Sequence, residues 1–249
     1  MLKLVAIGGG EMGRPGTKVE TTKIDKEVIK LTGKKNPKVL FIPTASQDSD
    51  LYCKVFKKHY GQRLGARVSF LLLTKNKYSK AQLEKIVLNT DIIYVGGGNT
   101  LRMLQLWKKV GLDKILIKVA GKGIVLSGVS AGANCWFRYS NSDSRKMEDS
   151  KKDYILLKCL GFVPAVMCPH YDVEKGRQLS LKKHMKNSPL VAVALGNCAA
   201  LQIVGDKYRL ITSKPSAVGY KVFWKKNKYF RIPISKNSEF KPISSLLVK

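Results

Sequence analysis

The chain has 249 residues, 44% of them hydrophobic, and carries 46 Lys and Arg against 17 Asp and Glu, a formal net charge of +29. That length and apolar content suit one α/β domain over residues 1–249 with a full core, and no apolar run is long enough to span a bilayer. Five cysteines, Cys53, Cys135, Cys159, Cys168 and Cys198, show no C-x-x-C spacing, which argues against a disulfide framework or a zinc site and for reduced thiols in the cytoplasm.

The first strand, Leu2–Ile7, leads straight into a glycine loop, Gly8-Gly9-Gly10-Glu11, without the layout of a signal peptide. Thr22 is the expected N-cap of a helix from Lys23 to about Leu31, with Asp25 as its acidic partner and Gly33 as its stop. Lys38–Ile42 is a second buried strand, closed by Pro43-Thr-Ala-Ser46. A helix starts at Asp48 or Ser49 and carries Val55, Phe56 and Tyr60 on one side. Ala66–Leu73 is strand-like, Ser79 caps a helix bearing Leu83, Ile86 and Val87, and Asp91–Val95 is a further strand. Gly96-Gly-Gly-Asn-Thr100 follows at once, and then a helix through Trp107.

Ile124-Val125-Leu126 is short, β-branched and apolar, as a strand buried on both faces is. It stops at Gly128-Val-Ser-Ala-Gly132, a G-x-S-x-G pattern. The physical use of that pattern is a sharp strand-to-helix turn that lifts the serine clear of the sheet. Farther on, Val163–Met167 and Leu190–Leu195 read as strands and 173–186 as a basic helix. The period then shortens over Ala200–Val204, Tyr208–Thr212, Gly219–Trp224 and Tyr229–Ile232, an antiparallel meander at the sheet's edge. Strands alternating with helices to about residue 140 predict a three-layer fold. Its sheet is mostly parallel with helices on both faces, and the glycine loops gather past the carboxyl ends of the strands, where such sheets bind ligands.

Chemistry is expected at that rim. Ser130, at the apex of the turn, is the candidate nucleophile. Of the three histidines, His59 and His184 lie among lysines and read as surface residues. His170 follows Met167-Cys168-Pro169 at a strand end and is the candidate base. A carboxylate usually orients such a histidine, and Asp143, in the polar loop Tyr139–Ser144, is the expected acid, with Glu148 in reserve. The Ala131 N–H and the N–H groups of Gly96-Gly97-Gly98 suit an oxyanion hole. The glycine loop lacks both G-x-x-x-x-G-K-[ST] and G-x-G-x-x-G, so nucleotide binding is the weaker alternative. The lysines occur in pairs, Lys34-Lys35 to Lys225-Lys226, spread over the whole length with no basic block interleaved with aromatics. They read as a solvated coat, not a site for specific nucleic acid or membrane.

At Ile42-Pro-Thr-Ala-Ser46, Tyr94–Leu101, Gly128–Asn134, Cys168-Pro-His-Tyr-Asp172 and Asn197-Cys-Ala-Ala-Leu201 the chain resembles the peptidase E (aspartyl dipeptidase) and cyanophycinase family of serine peptidases. The resemblance implies a class I glutamine-amidotransferase-like, flavodoxin-like α/β fold with serine in place of a nucleophilic cysteine, and cleavage of small peptides, notably dipeptides with N-terminal aspartate. It implies Ser130 as nucleophile, His170 as base, Gly97 or Gly98 with Ala131 as oxyanion hole, an acid at about Asp143, and no metal or organic cofactor. Asn99 and Asn134, inside matching segments, are expected to bind substrate, and Arg138 or Arg177 could pair with an acidic side chain. Gly196 departs from the family, where aspartate tends to stand. A small peptide is the expected partner, with the protein a monomer or homodimer. Two rivals are an α/β-hydrolase esterase, whose acid and histidine lie farther downstream, and a non-catalytic small-molecule or nucleic-acid binding protein on the same fold.

Overall fold

A computed structural model describes all residues except 175, 237 and 238. Its elements, in chain order, begin with β1 (Lys3–Ile7), α1 (Thr22–Lys30), β2 (Lys38–Ile42), α2 (Asp50–Phe56), β3 (Arg67–Phe70), α3 (Lys80–Leu88) and β4 (Ile92–Val95). Next come α4 (Thr100–Val110), α5 (Leu112–Val119), β5 (Val125–Val129), α6 (Ala131–Asn134), β6 (Phe137–Ser142), β7 (Ile155–Lys158), β8 (Val163–Cys168) and α7 (Arg177–Met185). The C-terminal part is β9 (Ala192–Leu195), β10 (Ala199–Val204), β11 (Lys207–Thr212), β12 (Gly219–Lys225), β13 (Lys228–Pro233), β14 (Lys241–Pro242) and α8 (Ile243–Leu247).

Among the described residues the strands form two sheets. The larger has the order β14-β11-β10-β1-β5-β4-β2-β3. Its β1, β5, β4, β2 and β3 are parallel, and β10, β11 and β14 add an antiparallel edge beside β1. The central strands have no wet face because alternate residues enter two different cores. Leu4, Ala6, Leu40, Ile42, Ile93 and Leu126 point into one, under α3, α4 and α5. Val5, Ile7, Val39, Phe41, Ile92 and Tyr94 point into the other, under α1 and α2. Each such side chain, taken fully out of water, contributes about 1.5–3 kcal/mol.

The α/β class, the parallel centre, the helices on both faces and the antiparallel C-terminal edge match the sequence reading. The second sheet, β13-β12-β9-β8-β6-β7, was not anticipated. One face of it, with Ala165, Met167, Val193 and Phe223, belongs to the same core as α3–α5. The other face packs Val166, Cys168, Ala194 and Val222 against Leu181 and Met185 of α7. The chain leaves this sheet at Leu195, turns through Gly196-Asn197-Cys198 with Cys198 at φ 62°, and enters the larger sheet as β10. The expected meander is therefore divided: β10 and β11 flank β1, whereas β12 and β13 extend the second sheet from β9.

Local departures have local causes. Thr22 opens α1 but does not cap it; the Thr21 hydroxyl instead donates to Asp25 Oδ2 at 2.6 Å. After α2 the helix widens into a π-helical segment, Lys57–Arg63, and this turns His59 and Tyr60 inward. His59 is thus buried, 1% exposed, with Nε2 2.8 Å from Asp25 Oδ2. His184 is half-buried, and its Nδ1 lies 2.8 Å from Asn141 Oδ1. Tyr139–Ser142, expected in a loop, lies in β6, where the polar side chains of Ser140, Asn141 and Ser142 are buried.

Candidate active site

The serine turn forms as its residue types require. Ser130 stands at φ 55° and ψ −111° between β5 and α6. Its N–H donates to the Ile7 carbonyl at 3.0 Å, and its own carbonyl accepts from the N–H groups of Ala133 and Asn134, each at 2.9 Å. The following helix comes so close to the sheet that a Cβ on Gly132 would lie 2.0 Å from the Val95 carbonyl oxygen. Only glycine fits there. A non-glycine residue at positive φ carries backbone strain, and here the surrounding bonds hold it.

His170 follows β8 and Pro169 and also sits at positive φ, 51°. Its N–H donates to the Gly8 carbonyl at 3.0 Å. The imidazole lies against the N-terminal glycine loop, where a Cβ on Gly9 would be 2.5 Å from Nδ1. Nε2 is 2.9 Å from Ser130 Oγ, and Nδ1 is 2.8 Å from Asn197 Oδ1. An amide oxygen only accepts, so Nδ1 carries the proton and Nε2 presents its lone pair to the serine hydroxyl. Asn197 is fixed in turn, its N–H donating to Asp172 Oδ1 at 2.9 Å. The Asp172 carboxylate fills the space beside Gly196: a Cβ there would be 2.6 Å from Oδ2. Asp172 thus brings a carboxylate to the place where the resemblance led one to expect an aspartate at 196.

The structure does not bring Asp143 to His170. Its Oδ2 accepts from the buried Arg177 guanidinium at 2.8 Å, and Arg177 also bonds Glu174 and the Asn141 carbonyl. Glu148 accepts from Arg102 at 2.9 Å. Asn99 and Asn134 do not line the cleft. Asn99 caps α4, accepting from the Arg102 N–H at 3.0 Å, and donates to the Ser144 carbonyl at 2.9 Å. Asn134 is buried and donates to Thr100 Oγ1 at 3.1 Å. Arg177, committed to two carboxylates and 1% exposed, has no face for substrate. Asn197, the residue that does meet His170, lies after the histidine and is an amide, so a carboxylate between Ser130 and His170 is not what the ring contacts. Its signal was its place in the Asn197-Cys-Ala-Ala segment.

A cleft of about 450 Å³ opens over Ser130 and His170. Gly97 and Gly98 line it together with Tyr52, Glu11 and Arg14, the last two joined as an ion pair. A Cβ on Gly97 would be 3.5 Å from Ser130 Cβ, so this backbone flanks the serine. The Gly97 N–H, however, donates to the Tyr52 hydroxyl at 3.3 Å. Burial pushes the Tyr52 phenol up to about 12 and the thiol of Cys168, two residues before His170, up to about 11, so both stay protonated at neutral pH and Cys168 is no rival nucleophile. Among the described residues no group of three His, Cys, Asp or Glu side chains could hold a metal ion, and no helix is long and apolar enough to cross a membrane.

The profile of peptidase family S51 matches residues 4–211. An uncharacterized peptidase of Bacillus subtilis (strain 168), YgaJ, is 35% identical over 236 residues, which cover 94% of this chain and 97% of the relative. A peptidase E of Streptomyces coelicolor is 26% identical over 68% of this chain and 69% of its own. A probable alpha-aspartyl dipeptidase of Drosophila melanogaster is 28% identical over 70% and 72%. Two solved structures share the fold. One, a peptidase from an acI-B1 Actinobacterium, superposes with a TM-score of 0.69 at 17% identity over 97% of both chains. The other, a candidate peptidase E protein from Listeria monocytogenes EGD-e, gives 0.64 at 23% over 85% of this chain and 98% of its own.

Proposed function

The chain belongs to peptidase family S51, and from that premise we propose that it hydrolyses small peptides through a Ser130–His170–Asn197 constellation and an acyl-enzyme. It is a hydrolase of the serine-peptidase class; the roles of single residues and the substrate are our reading. The observation that carries the reading is the 2.9 Å contact between Ser130 Oγ and His170 Nε2 at the floor of the cleft.

His170 Nε2 takes the hydroxyl proton as Ser130 Oγ bonds to the scissile carbonyl carbon, and the carbonyl electron pair moves onto its oxygen. Asn197 accepts from Nδ1–H throughout and holds the ring in that tautomer, the part a carboxylate plays in other triads. In this reading the Ala131 and Gly98 N–H groups receive the oxyanion; Ala131 adjoins the serine turn and Gly98 lines the cleft. When the intermediate collapses, the C–N bond breaks and the proton on Nε2 passes to the leaving amine. Water then attacks the ester by the same route, and the hydroxyl is restored.

The substrates proposed are dipeptides with an N-terminal acidic residue. The name of the Drosophila relative supports this, and so does Arg14, a cation on the cleft wall. An N-terminal aspartate carries one anion and one cation close together. The Arg14–Glu11 pair could exchange its mutual contact for one bond to each. Free thiols at all five cysteines suit a reducing compartment, and we place the enzyme in the cytoplasm. The test is a dipeptide library with Asp-Xaa, Glu-Xaa and isoaspartyl members, assayed with wild type and Ser130→Ala. Turnover of acidic members by wild type alone is expected. Equal turnover by the variant would overturn the mechanism, and indifference to the first side chain would overturn the specificity.

A further inference from the structure

The resemblance assigns the oxyanion to backbone N–H groups of the glycine loop, but the structure gives the Gly97 N–H another acceptor. The Tyr52 hydroxyl oxygen lies 3.3 Å from Gly97 N, and the Gly97 backbone itself borders Ser130. The phenol oxygen thus meets the backbone of a glycine that borders Ser130, and Tyr52 and Ser130 line the same cleft.

That ring is held from three sides. Tyr52 lies in the first turn of α2, where its N–H donates to the Ser49 cap at 3.3 Å. Phe41 meets it edge-on at a centroid distance of 5.0 Å. Gly96 admits the ring by lacking a side chain, since a Cβ there would be 3.0 Å from Tyr52 Cε1. A phenol has one proton to give. Its oxygen already accepts from Gly97, and among the described residues nothing accepts from its O–H.

We propose that Tyr52 is a catalytic residue: its O–H donates to the carbonyl oxygen as that oxygen becomes an oxyanion, and the Gly97 N–H acts through it by polarising the phenol. The inference rests on Ser130 being the nucleophile. No covalent bond of Tyr52 forms or breaks, and its proton remains on the phenol. Its raised pKa suits that part, because the group stays a donor over the whole neutral and mildly alkaline range. Tyr52 supplies one donor to the hole, and the Ala131 N–H, at the start of the helix after Ser130, is the other donor in this reading.

The experiment compares wild type with Tyr52→Phe on one dipeptide substrate, with a peptide aldehyde as transition-state mimic and a non-cleavable dipeptide as ground-state mimic. Loss of one oxyanion donor lowers kcat by roughly 10²-fold. The aldehyde should bind more weakly by a similar factor, while KM and affinity for the ground-state mimic hardly move. Unchanged or faster turnover, with the freed Gly97 N–H serving directly, would overturn the inference. Fluorophosphonate labelling separates the two layers of the reading. If wild-type Ser130 is not labelled, the nucleophile assignment falls and this one with it. If it is labelled and Tyr52→Phe keeps full kcat, only the present inference falls. Ring-fluorinated tyrosine at position 52 keeps the shape and sharpens the donor, so it decides the matter even where Tyr52→Phe does not fold. Tighter aldehyde binding supports the role, and unchanged binding overturns it.

Discussion

Two imidazoles in this molecule, His59 buried and His170 half-buried, have similar partners and different surroundings. His59 meets a carboxylate: Asp25 accepts at 2.8 Å from it, at 2.8 Å from Tyr60 and at 2.6 Å from Thr21. His170 meets only an amide, Asn197, also at 2.8 Å. By the usual search for a histidine oriented by an acid, His59 is the better candidate. Yet its carboxylate accepts from three donors, the whole group is shut inside the α1–α2 side of the sheet, and among the described residues no serine hydroxyl bonds its ring. His170 has the poorer orienter and everything else: a serine on its second nitrogen, a strained turn that presents that serine, and an open cleft. A carboxylate beside a histidine is more simply a fastening inside a fold; reactivity follows from access and from what the other nitrogen touches.

The comparison can be broken at either end. The largest effect is expected from Ser130→Ala, which should lower kcat by about 10⁴-fold or more and leave the melting temperature within a few degrees. Steady-state kinetics with calorimetry checks both. His59→Ala should do the reverse. It removes one of three donors from a buried carboxylate and should cost roughly 3 kcal/mol in urea unfolding, while turnover per folded molecule is little altered. Loss of activity in the folded fraction would show that the two imidazoles are not separate in function.

Asn197→Asp makes the two sites alike. The new anion favours the protonated ring, and a protonated ring cannot take the serine proton. The acid limb of the kcat/KM profile should therefore move up by about one pH unit, with the alkaline plateau kept. An unmoved limb would mean that Asn197 does not govern the base. The smallest effect concerns His184, whose pKa burial holds below the ordinary 6.5. The folded state thus prefers the neutral ring, and the stability tied to it is complete above that value and declines as pH falls through it. The urea midpoint should drop from pH 7.5 to 5.5, and by less in His184→Gln.

What was legible in the sequence was what depends on short spacing. A β-branched run ending in G-x-S-x-G can do little except bury a strand and bend at Ser130, and the apolar runs over 38–42 and 92–95 fill both faces of a parallel sheet. His170 was legible because a proline and a strand end precede it. Less legible was whatever depends on distant company. Asp143 could not be separated from a catalytic acid without knowing that Arg177, 34 residues later, would claim it. His59 seemed solvated among lysines because the π-helical turn that rotates it inward leaves no periodic mark. Asn99 and Asn134 carry residue types common to caps and to binding sites, and only their partners distinguish the two. The second sheet escaped notice because β6 carries buried serines and an asparagine, which read as loop until their hydrogen bonds are known.

The first strand lies between β5 and β10, pairing Lys3 with Val125 on one side and with Val204 on the other. The loop that follows it presses on His170 and Asn197 through Gly9, and Gly8 holds the His170 backbone. An early piece of the chain is therefore completed by a much later one, a long-range closure of the kind that slows folding. A ribosome that has released 170 residues has made the proposed nucleophile and the proposed base, but neither Asn197, which bonds the imidazole, nor the strand that pairs with β1 behind the loop. On the proposed mechanism, the site is therefore whole only once residues 197–204 have folded back onto the first strand and its loop.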